Sequence, residues 1–207
     1  MKMENNPESM VKEQLGKRDI TDKRVLAAFR KVKRELFVPP SCKKNAYEDR
    51  PLPIGCGQTI SQPYIVALTT QLLQLKGGEK ILEIGSGCGY QSAILAEMGC
   101  TVYGLEIVKS LLTATRSRFQ HFNYNRVYFY NRDGHHGLPE YAPYDCIAAG
   151  CAPAKIPSAL FKQLKNGGRM VMPAGEHIQW LFLVTKSNNR IWQKKVTPVS
   201  FVSMRGG

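Results

Sequence analysis

Three glycines set two apart, Gly85, Gly87 and Gly89, follow directly on the short apolar run Ile81 to Ile84. Glycines at this spacing allow backbone angles closed to other residues and let a ligand lie against bare main chain. The pattern that follows, with Ala93, Ile94, Leu95 and Met98 on one face, is that of a helix. Its first turn directs N–H groups and the positive end of its dipole back toward the glycines. A carboxylate, Glu106, stands 21 positions after Gly85 at the end of a second apolar run, Val102 to Leu105. In strand–turn–helix nucleotide folds such an acid bonds ribose hydroxyls. The chemistry implied is the binding of a nucleoside-bearing cofactor.

The spacing discriminates between cofactors. A dinucleotide fingerprint, G-x-G-x-x-G/A, needs a small residue at its sixth position. Here that position is Tyr90, and the third glycine comes one place early. The stretch Glu83-x-Gly85-Ser86-Gly87-x-Gly89 instead resembles the first motif of the S-adenosyl-L-methionine-dependent methyltransferases.

The surrounding chain supplies elements to position this site. Thr21-Asp22 can cap a helix with apolar positions Val25, Leu26, Phe29 and Val32, and Pro39-Pro40 ends helical structure there. From Tyr47 to Pro63 prolines and glycines predict a long irregular segment, pinned because Ile54, Ile60 and Tyr64 are worth burying. Pro63 suits the first position of a helix carrying Ile65, Val66, Leu68, Leu72 and Leu73. Strands are predicted at Val127 to Tyr130, Asp145 to Ala149 and Arg169 to Met172, with a helix over Pro157 to Leu164. A closing hairpin turns at Asn188-Asn189. Alternating strands and helices predict an α/β, doubly wound, mostly parallel sheet of Rossmann-like type with an N-terminal helical extension. The expected organisation is one domain over 1–207, with helices and the pinned loop in about 10–75 and the cofactor sheet in about 76–207. Residues 1 to 8 are polar and expected to fray.

The pinned loop, Asp49-x-Pro-Leu-Pro-Ile-Gly-x-Gly-Gln-Thr-Ile-Ser-Gln-Pro-Tyr64, resembles the signature of the protein-L-isoaspartate O-methyltransferases. The likeness continues through Arg34-Glu35-Leu-Phe-Val-Pro39, Glu83 to Tyr90, Asp133-Gly134, Ile156-Pro157, Gln163 to Arg169 and Phe201-Val202. It implies the class I methyltransferase fold, S-adenosyl-L-methionine as cofactor, and methylation of the α-carboxylate of isoaspartyl residues in damaged proteins. On the family's logic the ester then closes to a succinimide that hydrolyses partly to normal aspartate. The resemblance implies Ser61 as the key active-site residue. It implies a cofactor set of Thr59, Ile60, Ser61, Glu83, Gly85, Ser86, Gly87, Gly89, Glu106, Ile107, Asp133 and Gly134, with Asp133 at the adenine edge. Three positions depart from the family pattern. Arg132 replaces a glycine, Gly150 stands near a usual threonine, and Ser203 stands at a usual proline.

Other readings remain open. Ser61 could cap the following helix, although Pro63 at the first helical position would put the cap on Gln62. Asp133-Gly134 could be a simple turn. An acceptor such as RNA on the same fold, or a cofactor-binding module without turnover, would share the glycine turn.

Composition narrows the classes. The net charge of +13 is divided between Met10–Arg50, with 12 basic residues against 6 acidic, and Phe161–Lys195, with 7 against 1. No basic run exceeds two residues, so the excess reads as a solvated surface that steers anionic substrates, and a nucleic-acid partner is disfavoured. No run approaches the ~18 apolar residues of a membrane span, and Met1 to Met10 has no signal-peptide core. The six cysteines contain no C-x-x-C pair and read as free thiols, giving a cytoplasmic expectation. Four histidines, two of them adjacent, do not suggest a metal site.

Overall fold

The computed structural model describes residues 5–207. Its N-terminal layer begins with α1 (Pro7–Met10), capped by the Asn6 side chain, which accepts from Ser9 N–H at 2.8 Å. A π-helical turn, Val11–Leu15, follows. Residues 5 to 8 are therefore not frayed: an Asn cap followed by Pro at the first helical position starts a helix that buries Met10, Val11 and Leu15. The expectation for residues 1–4 lies outside the described residues. Asp22 caps α2 (Lys23–Lys31), its carboxylate accepting from Arg24 N–H at 2.8 Å, and Val25, Ala28 and Phe29 face inward.

The Tyr47–Pro63 segment departs from the irregular course predicted for it. It contains a hairpin, β1 (Leu52–Gly55) with β2 (Gln58–Ile60). Cys56 and Gly57 form its turn with φ of 56° and 68°, the two positive values that a tight hairpin of right-handed twist requires. Pro53 is tolerated because both strands of a two-stranded ribbon are edges. The cross-strand pair Leu52–Ile60 is buried and anchors the hairpin to the core. Helix α3 (Pro63–Leu73) follows.

The main sheet has seven strands in the order β5-β4-β3-β6-β7-β8-β9. They are β3 (Lys80–Ile84), β4 (Thr101–Leu105), β5 (Val127–Tyr130), β6 (Tyr144–Ala149), β7 (Leu164–Ala174), β8 (Gln179–Ser187) and β9 (Arg190–Val199). The first five pair in parallel, and the β8–β9 hairpin adds antiparallel strands at one edge through its Asn188-Asn189 turn. Connecting helices are α4 (Tyr90–Glu97), α5 (Lys109–Phe119) and α6 (Ser158–Gln163). β7 is longer than the Arg169–Met172 run expected of it, because antiparallel pairing with β8 extends it to Ala174.

Each sheet face carries its own apolar cluster. One joins Met10, Phe29, Tyr47 and Tyr90 to Ile81 and Val171, so the N-terminal helices share a core with the strands. The other joins Leu82, Ile147, Leu160 and Met172. At this burial a substitution such as Phe29→Ala costs about 3–5 kcal/mol. Strand order reverses between β3 and β6, and in such sheets ligands bind beyond the carboxyl ends at that reversal. Gly150 N–H donates to the Ile84 carbonyl at 2.8 Å there. A Cβ on Gly150 would lie 2.8 Å from the Gly85 carbonyl, so the approach of the two strand ends requires glycine.

Candidate active site

At the end of β3 the glycine turn uses most of its own donors. Gly85 and Ser86 N–H both donate to the Leu105 carbonyl at 2.9 Å, Gly87 N–H donates to Glu106 Oε2 at 2.9 Å, and Gly89 N–H donates to the Ser86 carbonyl at 2.8 Å. A phosphate-binding turn would leave such N–H groups free for the anion. What the turn presents instead is acidic. Glu106, 6% exposed, accepts from Val108 N–H through Oε1 at 2.8 Å, and its lone pairs exceed these two bonds. Glu83 lies behind the turn, 2% exposed, accepting from the Ser92 hydroxyl. Burial pushes its carboxyl up to about 8, with the Ser92 bond opposing and Glu106 adding to the rise. Ser86 Oγ is buried beside them without a partner among the described residues. Two carboxyl groups and an unsatisfied hydroxyl suit a ligand bearing hydroxyl and ammonium donors, as a nucleoside joined to an amino acid does, and disfavour a pyrophosphate.

The second wall is the β1–β2 hairpin and the residues after it. Ser61 precedes α3 but does not cap it: the cap position is Gln62, and the first position is Pro63. Asp49 serves the helix start from a distance, accepting Tyr64 N–H at 3.0 Å and Gln62 Nε2 at 2.8 Å. Arg18 pairs with the same carboxylate at 3.0 Å and lies 3.2 Å above the Tyr64 ring. The Ser61 hydroxyl makes no hydrogen bond among the described residues, while its carbonyl accepts from Arg34 Nη2 at 2.8 Å. Neither Asp49 nor Arg34 carries a local signal for such a role.

The third wall comes from the far end of the chain. Ala152 N–H donates to the Val202 carbonyl at 3.0 Å, and Met204 N–H returns to the Ala152 carbonyl at 2.9 Å. This bridge lays Val202 to Arg205 along the cleft. Arg205 then reaches the hairpin turn, donating to the Cys56 carbonyl at 3.0 Å, and Cys56 Sγ lies 3.3 Å from Ser110 Oγ.

The resulting cleft has two connected compartments. Thr59, Gly85, Gly87, Glu106, Ile107 and Gly134 line the first, together with Arg132, Gly150 and Ser203. Thr59, Ile60, Ser61, Glu83, Gly85, Ser86 and Gly87 line the second. Thr59 and Ser61 also line a third, open groove of about 420 Å³ with Pro198 and Phe201. Of the residues singled out from the sequence, Gly89 and Asp133 do not line the cleft. Gly89 is the α4 cap residue at φ 86°. The Asp133 carboxylate is turned to its own loop, accepting from His135 N–H, His135 Nδ1 and Gly207 N–H, each at 2.9 Å. Partial burial raises this carboxyl, but these donors outweigh that effect and hold it at about 2. Cys151 lines the cleft without having been singled out, and its burial raises the thiol to about 12, so it is inert packing.

Among the described residues no helix is long and apolar enough to cross a membrane, and no cluster of His, Cys, Asp and Glu could hold a metal.

Residues 5–207 match the family described as protein-L-isoaspartate(D-aspartate) O-methyltransferase. A protein-L-isoaspartate O-methyltransferase of Opitutus terrae is 48% identical over 200 residues, covering 96% of this chain and 86% of that one. Another from Dictyoglomus thermophilum is 46% identical over 188 residues, covering 90% and 86%. A Plasmodium falciparum protein assigned to the same enzyme class, solved with S-adenosyl-L-homocysteine, superposes with a TM-score of 0.85. It is 27% identical and covers 98% of this chain and 99% of its own.

Proposed function

The chain belongs to the protein-L-isoaspartate(D-aspartate) O-methyltransferase family, and from that premise we infer that it methylates the α-carboxylate of L-isoaspartyl residues in damaged proteins with S-adenosyl-L-methionine. The observation that carries this reading is the meeting of the cofactor cleft and the open groove at Thr59 and Ser61. A peptide lying in the groove can present its carboxylate there without entering the cleft.

The cofactor supplies, when bound, an electrophilic methyl group on a sulfonium. Glu106 would accept from its ribose hydroxyls, Glu83 and Ser86 would meet its amino-acid end, and Gly85 and Gly87 would admit it against the main chain. Ile107 and Gly134 would border its base, with Arg132 contributing a cation at the same end.

The acceptor needs no general base, because a carboxylate of pKa near ~4 is already the nucleophile at neutral pH. The protein must align one oxygen with the transferred carbon and exclude water from it. The Ser61 hydroxyl, without a partner among the described residues, is free to donate to the acceptor carboxylate. Thr59 and Ile60 close the adjoining wall. Six free thiols fit a reducing compartment, and we place the enzyme in the cytoplasm on that ground.

The test is labelled methyl transfer to an L-isoaspartyl peptide beside its normal aspartyl twin. Label in the isoaspartyl peptide alone supports the reading. Transfer to RNA instead, or cofactor binding with no transfer to any acceptor, overturns it.

A further inference from the structure

We propose that Arg34 is a positioning residue for Ser61, a fixed guanidinium that sets the backbone of the substrate-facing loop against the cofactor-facing turn. The proposal rests on the reading of Ser61 given above.

Arg34 is fully buried, and it takes part in none of the ion pairs among the described residues. Its hydrogen-bond partners are three backbone carbonyls, two in the 46–50 stretch and one at Ser61. Nη1 donates to Ala46 at 2.6 Å, while Nη2 donates to Ser61 at 2.8 Å and more weakly to Arg50 at 3.4 Å. Nε is buried without a partner among the described residues. The guanidinium carbon lies 5.6 Å from the centre of the Tyr90 ring. Tyr90 opens α4 directly after Gly89 and lines the second compartment of the cleft. One planar cation therefore touches the loop that carries Ser61 and the aromatic residue that ends the glycine turn.

A buried charge held mainly by carbonyls is an expensive way to stabilise a fold, since desolvation opposes it. Burial accordingly lowers the pKa of Arg34. What the arrangement provides is geometry. The guanidinium fork is rigid and planar, so the directions of its carbonyl partners are fixed together. Lysine keeps the charge but offers a point donor on a flexible stem. Ser61 is held at its carbonyl, which leaves its hydroxyl free for the acceptor.

The experiment measures kcat, KM for an L-isoaspartyl peptide, S-adenosyl-L-methionine affinity and melting temperature for Arg34→Lys, Arg34→Gly and Ser61→Ala. A combined Arg34→Lys, Ser61→Ala variant completes the set. Misplacement of the reacting group by ~1 Å can cost about 100-fold. Arg34→Lys should therefore lose about 10- to 100-fold in kcat while keeping cofactor affinity within about threefold. Arg34→Gly should lose more and regain turnover in millimolar guanidinium, and the combined variant should be no slower than Ser61→Ala alone. If Arg34→Gly does not fold, Arg34→Lys decides. An unchanged kcat in Arg34→Lys with a slow Ser61→Ala overturns the role of Arg34 alone. Full turnover in Ser61→Ala overturns the reading of Ser61 and this proposal with it. Turnover that falls only in step with cofactor affinity and melting temperature assigns Arg34 a structural role and overturns the proposal.

Discussion

The Glu106 carboxylate accepts the N–H of Gly87 at 2.9 Å, so the acid offered to the ribose also holds the glycine turn in shape. Removing it acts twice. Glu106→Ala should weaken S-adenosyl-L-methionine binding by about 1–3 kcal/mol through the lost charge-assisted bonds, and should also lower the melting temperature by releasing Gly87 and Val108. Calorimetry and thermal denaturation on the same preparation separate the two effects. Unchanged affinity would move the ribose elsewhere.

Ser61→Ala should lower kcat by about 100-fold, keep cofactor affinity within a few-fold and leave the melting temperature unmoved. A cap would behave in the opposite way, and here Asp49 is the residue bonded to the α3 start. Asp49→Ala should accordingly carry the stability loss, about 0.5–2 kcal/mol. A large melting shift in Ser61→Ala with intact turnover would restore the cap interpretation.

Glu83 gives the cofactor-free protein a defined pH response. Its carboxyl is raised from 4.5 to about 8 by burial, so between those values the folded chain holds a proton that the unfolded chain has released. Stability then falls as pH rises through the window, and no contribution from this group changes below it. Glu83→Gln should flatten that part of the curve. Melting temperatures from pH 5 to 8.5 check it, and identical slopes in both proteins would remove Glu83 as the source.

Gly89→Ala tests the turn by shape alone. The residue has φ 86°, and an added Cβ would lie 2.5 Å from Phe119 and 2.9 Å from Thr115. Left-handed backbone and overpacking together should destabilise the protein by about 2–5 kcal/mol. A chemical denaturation midpoint within error of the parent would show that α5 yields freely.

The charge of +13 should produce only weak RNA binding that falls linearly in log[salt] and vanishes near physiological ionic strength. A filter-binding series over salt measures it. Tight binding that yields methylated RNA would overturn the isoaspartyl assignment.

What the sequence made legible follows the range of the forces involved. The β3 and β4 strands, the glycine turn and the α2 and α3 starts depend on neighbours within a few residues, and their bounds follow from periodicity and caps. Asn6-Pro7 carried the same kind of signal, masked by the polar composition around it. The β1–β2 hairpin was not legible because Cys56-Gly57 is not a usual turn pair, and its formation depends on burying Leu52 against Ile60. Arg34 and Asp49 bond partners up to 27 and 31 residues away, and nothing local marks such a reach. Val202 to Arg205 join the cleft through the bridge to Ala152 and the Arg205 bond to Cys56, and resemblance pointed there no further than Phe201-Val202 and the departure at Ser203.

That bridge orders events in time. Val202, Ser203 and Met204 leave the ribosome long after β3 and β4, yet they wall the compartment that those strands begin. A growing chain can complete the glycine turn and still have one side of the cleft open to solvent. The cleft is therefore closed on this side only once residues 202–204 have been made and have paired with Ala152, well after the glycine turn itself can form.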